Sequence, residues 1–493
     1  MHRFLLSALM GLVGCTQLLG DDFTVGDPGT GGGASSGGGP GSGGAGAGGQ
    51  AAGGAGGTGG TMPMVDVQWQ ERVGGQGEQL LRQMAVDGAD QVGLVGTFNG
   101  AIALDSTYTA ASSVSDGFIA KTDASGQVLW SRQVPGQGSR FVRPESATFG
   151  DMGSMFITGT FEGTTDFGSG PFSSIGNADA FIVKYDANGG FDWATVIGSS
   201  NGSDRGVAVA TSSNRLFAVG EWVSDITIGN TNHTSGAARN IYLASFGFGG
   251  SSLLSETWPS QGSHFVADVA TDAAGEVIIV GTYDFVANFG GGDLSPSGSD
   301  DAMYVAKFTP TLVHQWSRSF SSSSGTIEPS RVCTQGSSIA VVGRYGGPID
   351  FGGGAVPHTA NDDAFALILD GAGNYVQAVT LNAAADEGFG DCAFLPGSRL
   401  AVMGSFGSVV DTGMGPLSPD GDNDHLFLIY EAGSSTPTFA RQLRGDGSVL
   451  QPHIEATTDG GVILGSSPDG SHSFGGMVLP GTVGTDFAYA KLR

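Results

Sequence analysis

From residue 65 onward, short apolar runs alternate with clusters of Gly, Asp, Asn and Ser, and no long stretch has apolar residues at helical spacing. Runs rich in Val, Ile, Thr and aromatic residues, bounded by turn formers, predict many short strands. The pattern also repeats. "VSDGFIAKTDASGQVLWSRQVP" at 114–135 returns as "NADAFIVKYDANGGFDWATVIG" at 177–198 and "SDDAMYVAKFTPTLVHQWSRSF" at 299–320.

Aligned on the tryptophan, copies fall at Trp69, Trp130, Trp193, Trp258 and Trp316, with degenerate copies at Ala378 and Phe439. The spacings are 61, 63, 65, 58, 62 and 61, which makes seven copies between Val65 and Arg493. After each Trp strand comes a strand of small residues, such as "GVAVAT" at 206–211. An apolar strand follows and ends in Gly-x-aromatic, at Phe98, Phe161, Trp222, Tyr283, Tyr345 and Phe406. Eighteen residues after that aromatic stands Asp116, Asp179, Asn240, Asp301, Asp363 or Asp424.

The next strand, as in "AFIVKY", is apolar on both faces, as a strand between two neighbouring sheets must be. Asp-x-x-Gly then turns the chain into the following Trp strand, with Gly free to take positive φ. Four main strands in each of seven copies of about 61 residues predict a seven-bladed β-propeller. The length beyond an ordinary blade predicts a small extra hairpin on one rim. The domain opens with a Trp strand and stops before the strand that would follow "DFAYAKLR". The N-terminal strand is therefore expected to pair in the last blade and close the ring, removing two sheet edges.

The pattern D-A-[FY]-[IV]-x-K-[YF]-D-x-x-G-x-x-x-W…G-x-[VI]-x-V-[TV]-G-x-[FY] resembles the SBBP-type β-propeller repeat of secreted bacterial proteins. It spans 65–493 and is closest over 79–370. The resemblance implies export and no particular activity.

The N-terminus agrees. Arg3 precedes an apolar run from Phe4 to Val13, too short to cross a bilayer and suited to a signal-peptide core. It ends in Leu12-Val13-Gly14-Cys15, which resembles the lipobox of bacterial lipoproteins. That resemblance implies a signal peptide over 1–14, acylation of Cys15 and a membrane anchor. Thr16, rather than Asp, points to the outer membrane or cell surface. Residues 26–61 hold 20 glycines among 36 residues and have nothing to bury. As a flexible coil, such a segment has an r.m.s. span of about 30–36 Å. The stretch 15–64 thus reads as a tether, and 65–493 as its payload.

Charge narrows the partners. With 20 Lys+Arg against 47 Asp+Glu, the net charge of −27 repels phosphate backbones and excludes nucleic acid. It suits a soluble monomeric domain.

Candidate chemistry is sparse. The six tryptophans all fall in repeat positions, so they read as blade core rather than a glycan platform. Asp420, Asp422, Asp424 and Glu431 match EF-hand positions 1, 3, 5 and 12. His425 replaces the required Gly, however, and a strand over 425–430 would carry Glu431 away. Asp420 and Asp422 remain as a weak Ca²⁺ candidate, and no other cofactor is implied. The rim aspartates read as turn caps that receive backbone N–H groups. Gly198-Ser199-Ser200-Asn201-Gly202 matches the G-x-S-x-G of hydrolases, but it joins two strands instead of a strand and a helix. The eight histidines lack metal-ligand spacing. The D-x-x-G-x-x-x-W turns are similar to blades of quinone-dependent dehydrogenases, whose vicinal cysteines are missing here. Cys333 and Cys392 lie in equivalent strands of adjacent copies, offset by one, and form one possible disulfide in an exported protein.

These features predict a lipid-anchored envelope protein whose propeller serves as a binding or scaffolding platform for an envelope protein or polysaccharide. The alternative is a polysaccharide hydrolase or lyase with its active site on rim loops.

Overall fold

The computed structural model describes residues 66–493, except 201, 235–237, 260–261, 298–300, 360 and 482–483. The lipobox, Cys15 and the Gly-rich segment lie outside the described residues. Within them the chain is all-β, with a single 3-10 turn at Asp151–Gly153.

The strands form six four-stranded antiparallel sheets and one of five strands, numbered here 1 to 7 in chain order. Sheet 1 runs Gln79–Val86, Val92–Phe98, Asp116–Thr122 and Val128–Val134. Sheets 2 to 6 repeat that order, starting at Val142–Phe149, Arg205–Ser212, His264–Thr271, Ile327–Gln335 and Glu387–Leu395. Sheet 7 takes Val449–Ala456, Val462–Pro468 and Phe487–Leu492, and then Val67–Val73 from the other end of the domain. That last pair is antiparallel from Val67↔Leu492 to Val73↔Phe487, the pairing expected from the sequence. The first strand of each sheet lies beside the first strand of the next, and that of sheet 7 beside that of sheet 1. The arrangement is propeller-like.

Hydrophobic burial explains the stacking. The third strands Asp116–Thr122, Ala302–Phe308 and Asp424–Tyr430 are buried at every position, so both faces have a sheet against them. The extra length of each copy forms the expected rim hairpin. Examples are Ala101–Ala103 with Thr107–Thr109, and Asp225–Ile228 with Thr231–Thr234.

Strand register corrects the repeat alignment at three places. In sheets 1, 2, 4 and 7 the tryptophan pairs with the lysine of the repeat, as in Lys121↔Trp130, Lys184↔Trp193, Lys307↔Trp316 and Lys491↔Trp69. The matching residue in sheet 3 is Leu254, paired with Ser245, so Trp258 lies four residues too far along. In sheet 5 it is Gln377, paired with Ile368, rather than Ala378. Ala302, not Asp301, pairs with Tyr283, because the preceding loop has one extra residue. Small insertions inside loops shift a count made along the chain; cross-strand pairing is indifferent to them.

The corrected positions share a task. Each indole N–H donates to a carbonyl in the turn of the next sheet: Trp69 to Ala124 at 2.9 Å, Trp130 to Ala187 at 3.0 Å, Trp193 to Phe248 at 2.9 Å, and Trp316 to Gly371 at 3.0 Å. Gln377 replaces Trp and still reaches the turn of sheet 6, donating to Ser434 and accepting from Gly433. The seam between sheets 3 and 4 has lost both halves of the latch: Leu254 stands in the Trp position of sheet 3, and the turn of sheet 4 carries Leu312 at φ +61° where other turns have Gly. Trp258 instead packs on Phe289 and Phe308 of sheet 4, at ring distances of 5.3 and 5.1 Å. Four of the six tryptophans thus join neighbouring sheets through both ring and N–H, a more specific role than core filler. Only Trp222 is fully enclosed.

Gly189 lies under such a latch, at φ +79°, where an added Cβ would come within 2.6 Å of the Trp130 ring. Gly433, at φ +77°, has open space at the same point. Gly433→Ala should cost about 1 kcal/mol from backbone strain alone. Gly189→Ala should cost about 2–4 kcal/mol, since the ring must also move. Urea unfolding of the two variants measures the difference; equal losses would show that the indole contact contributes nothing.

Candidate functional site

All seven first strands carry a β-bulge at the same point, for example between Leu81 and Gln83, Val266 and Asp268, and Phe389 and Asp391. A bulge adds local twist and re-aims the following side chain. In sheets 1, 2, 4 and 6 that side chain reaches across to the next sheet. Gln83 Oε1 accepts the Ala147 N–H at 2.6 Å, Ser146 Oγ that of Val209 at 3.2 Å, Asp268 that of Val332 at 3.0 Å, and Asp391 that of Ile454 at 3.1 Å. Three residues further on, threonines stitch the other way. Thr211, Thr271 and Thr334 donate to the carbonyls of Phe149, Thr211 and Thr271 at 2.7–2.9 Å.

These strands enclose a cavity of about 410 Å³ lined by residues of all seven sheets. Most of its wall is small: Ala85, Ala210, Ala270 and Ala393 occupy equivalent positions. Charge is confined to one side, where sheets 4 to 7 contribute Asp268, Arg331, Asp391 and Glu455. Burial raises Asp268 to about 6, opposed by Arg331 and reinforced by Asp391. Burial also pushes Glu455 well above the carboxylate range, with Asp391 and Asp268 acting in the same direction. Sequence reasoning missed this group because no two of the four are close in the chain, and only the repeat register brings them onto one wall.

Cys333 and Cys392 meet at that wall. Cys333 follows the bulge of sheet 5 and Cys392 that of sheet 6, one position apart, with Cα atoms 6.0 Å apart and the sulfurs joined. The one-residue offset turns one side chain to the cavity and the other to the seam between the sheets.

The other sequence candidates lie on the rim. Asp420 is paired with Arg444 at 2.7 Å, Asp422 is exposed, and Asp424 accepts the backbone N–H groups of Asp420 and Gly445 at 2.9 and 3.1 Å. No three His, Cys, Asp or Glu side chains among the described residues converge as metal ligands. Asp116 accepts three backbone N–H groups, from Ala111, Ser112 and Gly136, and Asp363 accepts that of Thr359. These are turn caps at strand entrances. Ser199 donates to Asp204 at 2.8 Å, and a strand follows it.

No family model matches the chain, and no curated protein does. Among solved structures it is similar to the polysaccharide lyase Uly1, with TM-score 0.44, 7% identity and coverage of 86% of this chain and 99% of that one. It is also similar to a protein of unknown function from Dyadobacter fermentans, with TM-score 0.40, 10% identity, and 88% and 100% covered. A third is YCF48 bound to D1 peptide, with TM-score 0.38, 10% identity, and 88% and 98% covered. Likenesses this distant carry no functional weight.

Two outcomes follow from the site. The disulfide closes a loop of 59 residues. Thiol labelling of the denatured, unreduced domain should find no free thiol at Cys333 or Cys392, and reduction should cost about 2–4 kcal/mol. Glu387, at the entrance of sheet 6, is 1% exposed, and burial raises it from 4.5 to about 8, with Asp363 and Asp386 adding to the shift. Its folded form holds a proton that the unfolded form releases above 4.5, so the stability linked to it is complete below that value and lost as pH rises through 8. Glu387→Gln should therefore raise stability by about 1–3 kcal/mol at pH 8 and change it little at pH 4; denaturant midpoints at the two values test the sign.

Proposed function

We propose that this chain is an exported lipoprotein, anchored through Cys15 and presenting residues 65–493 as a seven-bladed β-propeller that binds or scaffolds a component of the cell envelope. The blade count is supported by the seven equivalent bulges and by the pairing of Val67–Val73 in sheet 7. The anchor is supported by Leu12-Val13-Gly14-Cys15 and the Gly-rich segment behind it. The observation that carries the platform reading is the use of reactive groups as structure: the buried aspartates, hydroxyls and lysines of the repeat are engaged in joining sheets. Lys307, 2% exposed, donates to the Gly371 carbonyl of sheet 5 at 3.2 Å, and Lys491 pairs with Asp90 of sheet 1 at 3.0 Å. A partner would then dock on the rim hairpins, where the copies differ most.

One observation favours catalysis instead. Asp268 and Glu455 share a cavity, and both are raised toward values suited to proton transfer, the requirement for a polysaccharide hydrolase or lyase. One experiment separates the two readings. Cross-linking in intact cells should capture a specific envelope partner with the wild type, and Cys15→Ser should shift the protein from the membrane to the soluble fraction and lose that partner. Unchanged membrane association would overturn the anchor. Depolymerisation of an envelope polysaccharide by the purified domain, abolished in Asp268→Asn and Glu455→Gln, would replace the platform with the enzyme.

A further inference from the structure

The copies act as an internal control on one another, and at the seam between sheets 6 and 7 two of them break the pattern. By cross-strand register, the residue just after the buried acid or amide of each third strand is Gly117, Ala180, Ile241 or Ala364 in sheets 1, 2, 3 and 5; in sheet 4 it is Met303, which follows Ala302. Sheet 6 puts His425 in this apolar slot. A second slot, at the start of each rim hairpin, holds Ile102, Ile226, Ala287, Ile349 or Val410, and in sheet 2 Thr165, an uncharged side chain that donates to the Pro135 carbonyl at 2.8 Å. Sheet 7 puts His472 there.

Both rings are fully buried. His425 has no hydrogen-bond partner for either ring nitrogen among the described residues, and only the Val449 backbone acts on it favourably when charged. His472 reaches Ser466 Oγ at 3.1 Å through Nε2 and packs edge-on to Phe474, with ring centres 4.7 Å apart. Its short strand is also a strap: His472 pairs with Gly445, so the rim hairpin of sheet 7 crosses onto the outer strand of sheet 6. A third histidine, His453, is buried in the first strand of sheet 7, with Nδ1 3.7 Å from Asp391 of sheet 6.

We infer that this seam is an acid-sensitive joint, stable while His425 and His472 are neutral and loosened when they must take up protons. The charged groups facing them do not offset that cost. Arg72 acts on His472 with the wrong sign, and its partner Asp486 is already paired with it at 2.7 Å. Asp391 is engaged by the Ile454 N–H and faces His453, while His453 and His472 both oppose a charge on His425. Burial holds His472 down to about 3 and His425 well below its ordinary 6.5. The unfolded rings bind protons below about 6.5, so folding weakens as pH falls through that value, by up to about tenfold per histidine per pH unit. Sheet 7 is also the sheet that unites the two ends of the domain, so loosening its edge toward sheet 6 frees the strap without breaking the Val67–Val73 pairing.

The test uses the full chain. Native-state hydrogen exchange is followed from pH 7.5 to pH 5, alongside thermal unfolding of wild type and of His425→Ala/His472→Val, residues that other sheets carry in these slots. Exchange corrected for its intrinsic pH dependence should rise first in Phe439–Gly445 and His472–Ser473, while Met155–Asp166 of sheet 2, a sheet without histidine, stays protected. The double variant should lose at least tenfold less in folding equilibrium between pH 6.5 and 5 than the wild type. Uniform exchange across the sheets, or the same acid loss in both proteins, would overturn the inference. Should the variant fail to fold, the exchange pattern of the wild type still decides.

Discussion

The structure depends on sheets being held to their neighbours, because no sheet here can bury both its faces alone. Hydrophobic contact supplies most of the driving force, and it is non-directional. Direction comes from three sets of polar links that recur with the repeat. Near the cavity, the side chain after the bulge takes an N–H of the following sheet in sheets 1, 2, 4 and 6; threonines of sheets 3, 4 and 5 return the contact three residues later; at the periphery, an indole or amide grips the next turn at five of the seams. Each link satisfies a backbone group that would otherwise be stranded at a seam. They fix how far each sheet is rotated and shifted against the next.

The same demand explains the least regular sheet. Sheet 7 unites strands from both ends of the domain, and its seam with sheet 1 carries the Trp69–Ala124 latch and the Lys491–Asp90 pair. Its seam with sheet 6 lacks the Trp latch: Phe439 stands in the Trp position, and no turn joins Phe487–Leu492 to Val67–Val73 for an indole to grip. There the strap of His472–Ser473 pairs with the outer strand of sheet 6. Degeneracy of the repeat at Phe439 therefore has a topological cause.

The cavity shows how structure and chemistry share residues in such an architecture. Asp268 and Asp391 stitch sheets together and also line the cavity, where they oppose ionisation of Glu455. Removing either changes a seam and the electrostatics of the cavity at once. Glu455, for which no hydrogen bond to a neighbouring sheet is seen among the described residues, is the member through which the cavity's charge can be altered with least effect on packing.

Much of the architecture was legible in the amino-acid sequence. Short runs of β-prone residues bounded by turn formers, one of them apolar on both faces, gave the four strands per copy, the Asp-x-x-Gly turns were read with their positive φ, and the place of the first strand followed from the missing final one. These are local signals repeated seven times, and repetition averages out the ambiguity of any single copy. The bulges, the exchange of Trp for Gln377, the charged wall and the paired histidines were not legible, since each depends on register between segments about 60 residues apart. Hydrogen-bonded pairing sets that register to a single residue, whereas counting along a chain with variable loops does not. Sequence alone thus determined the kind of element and its order; tertiary pairing decided which side chains share a seam, a cavity or a buried slot.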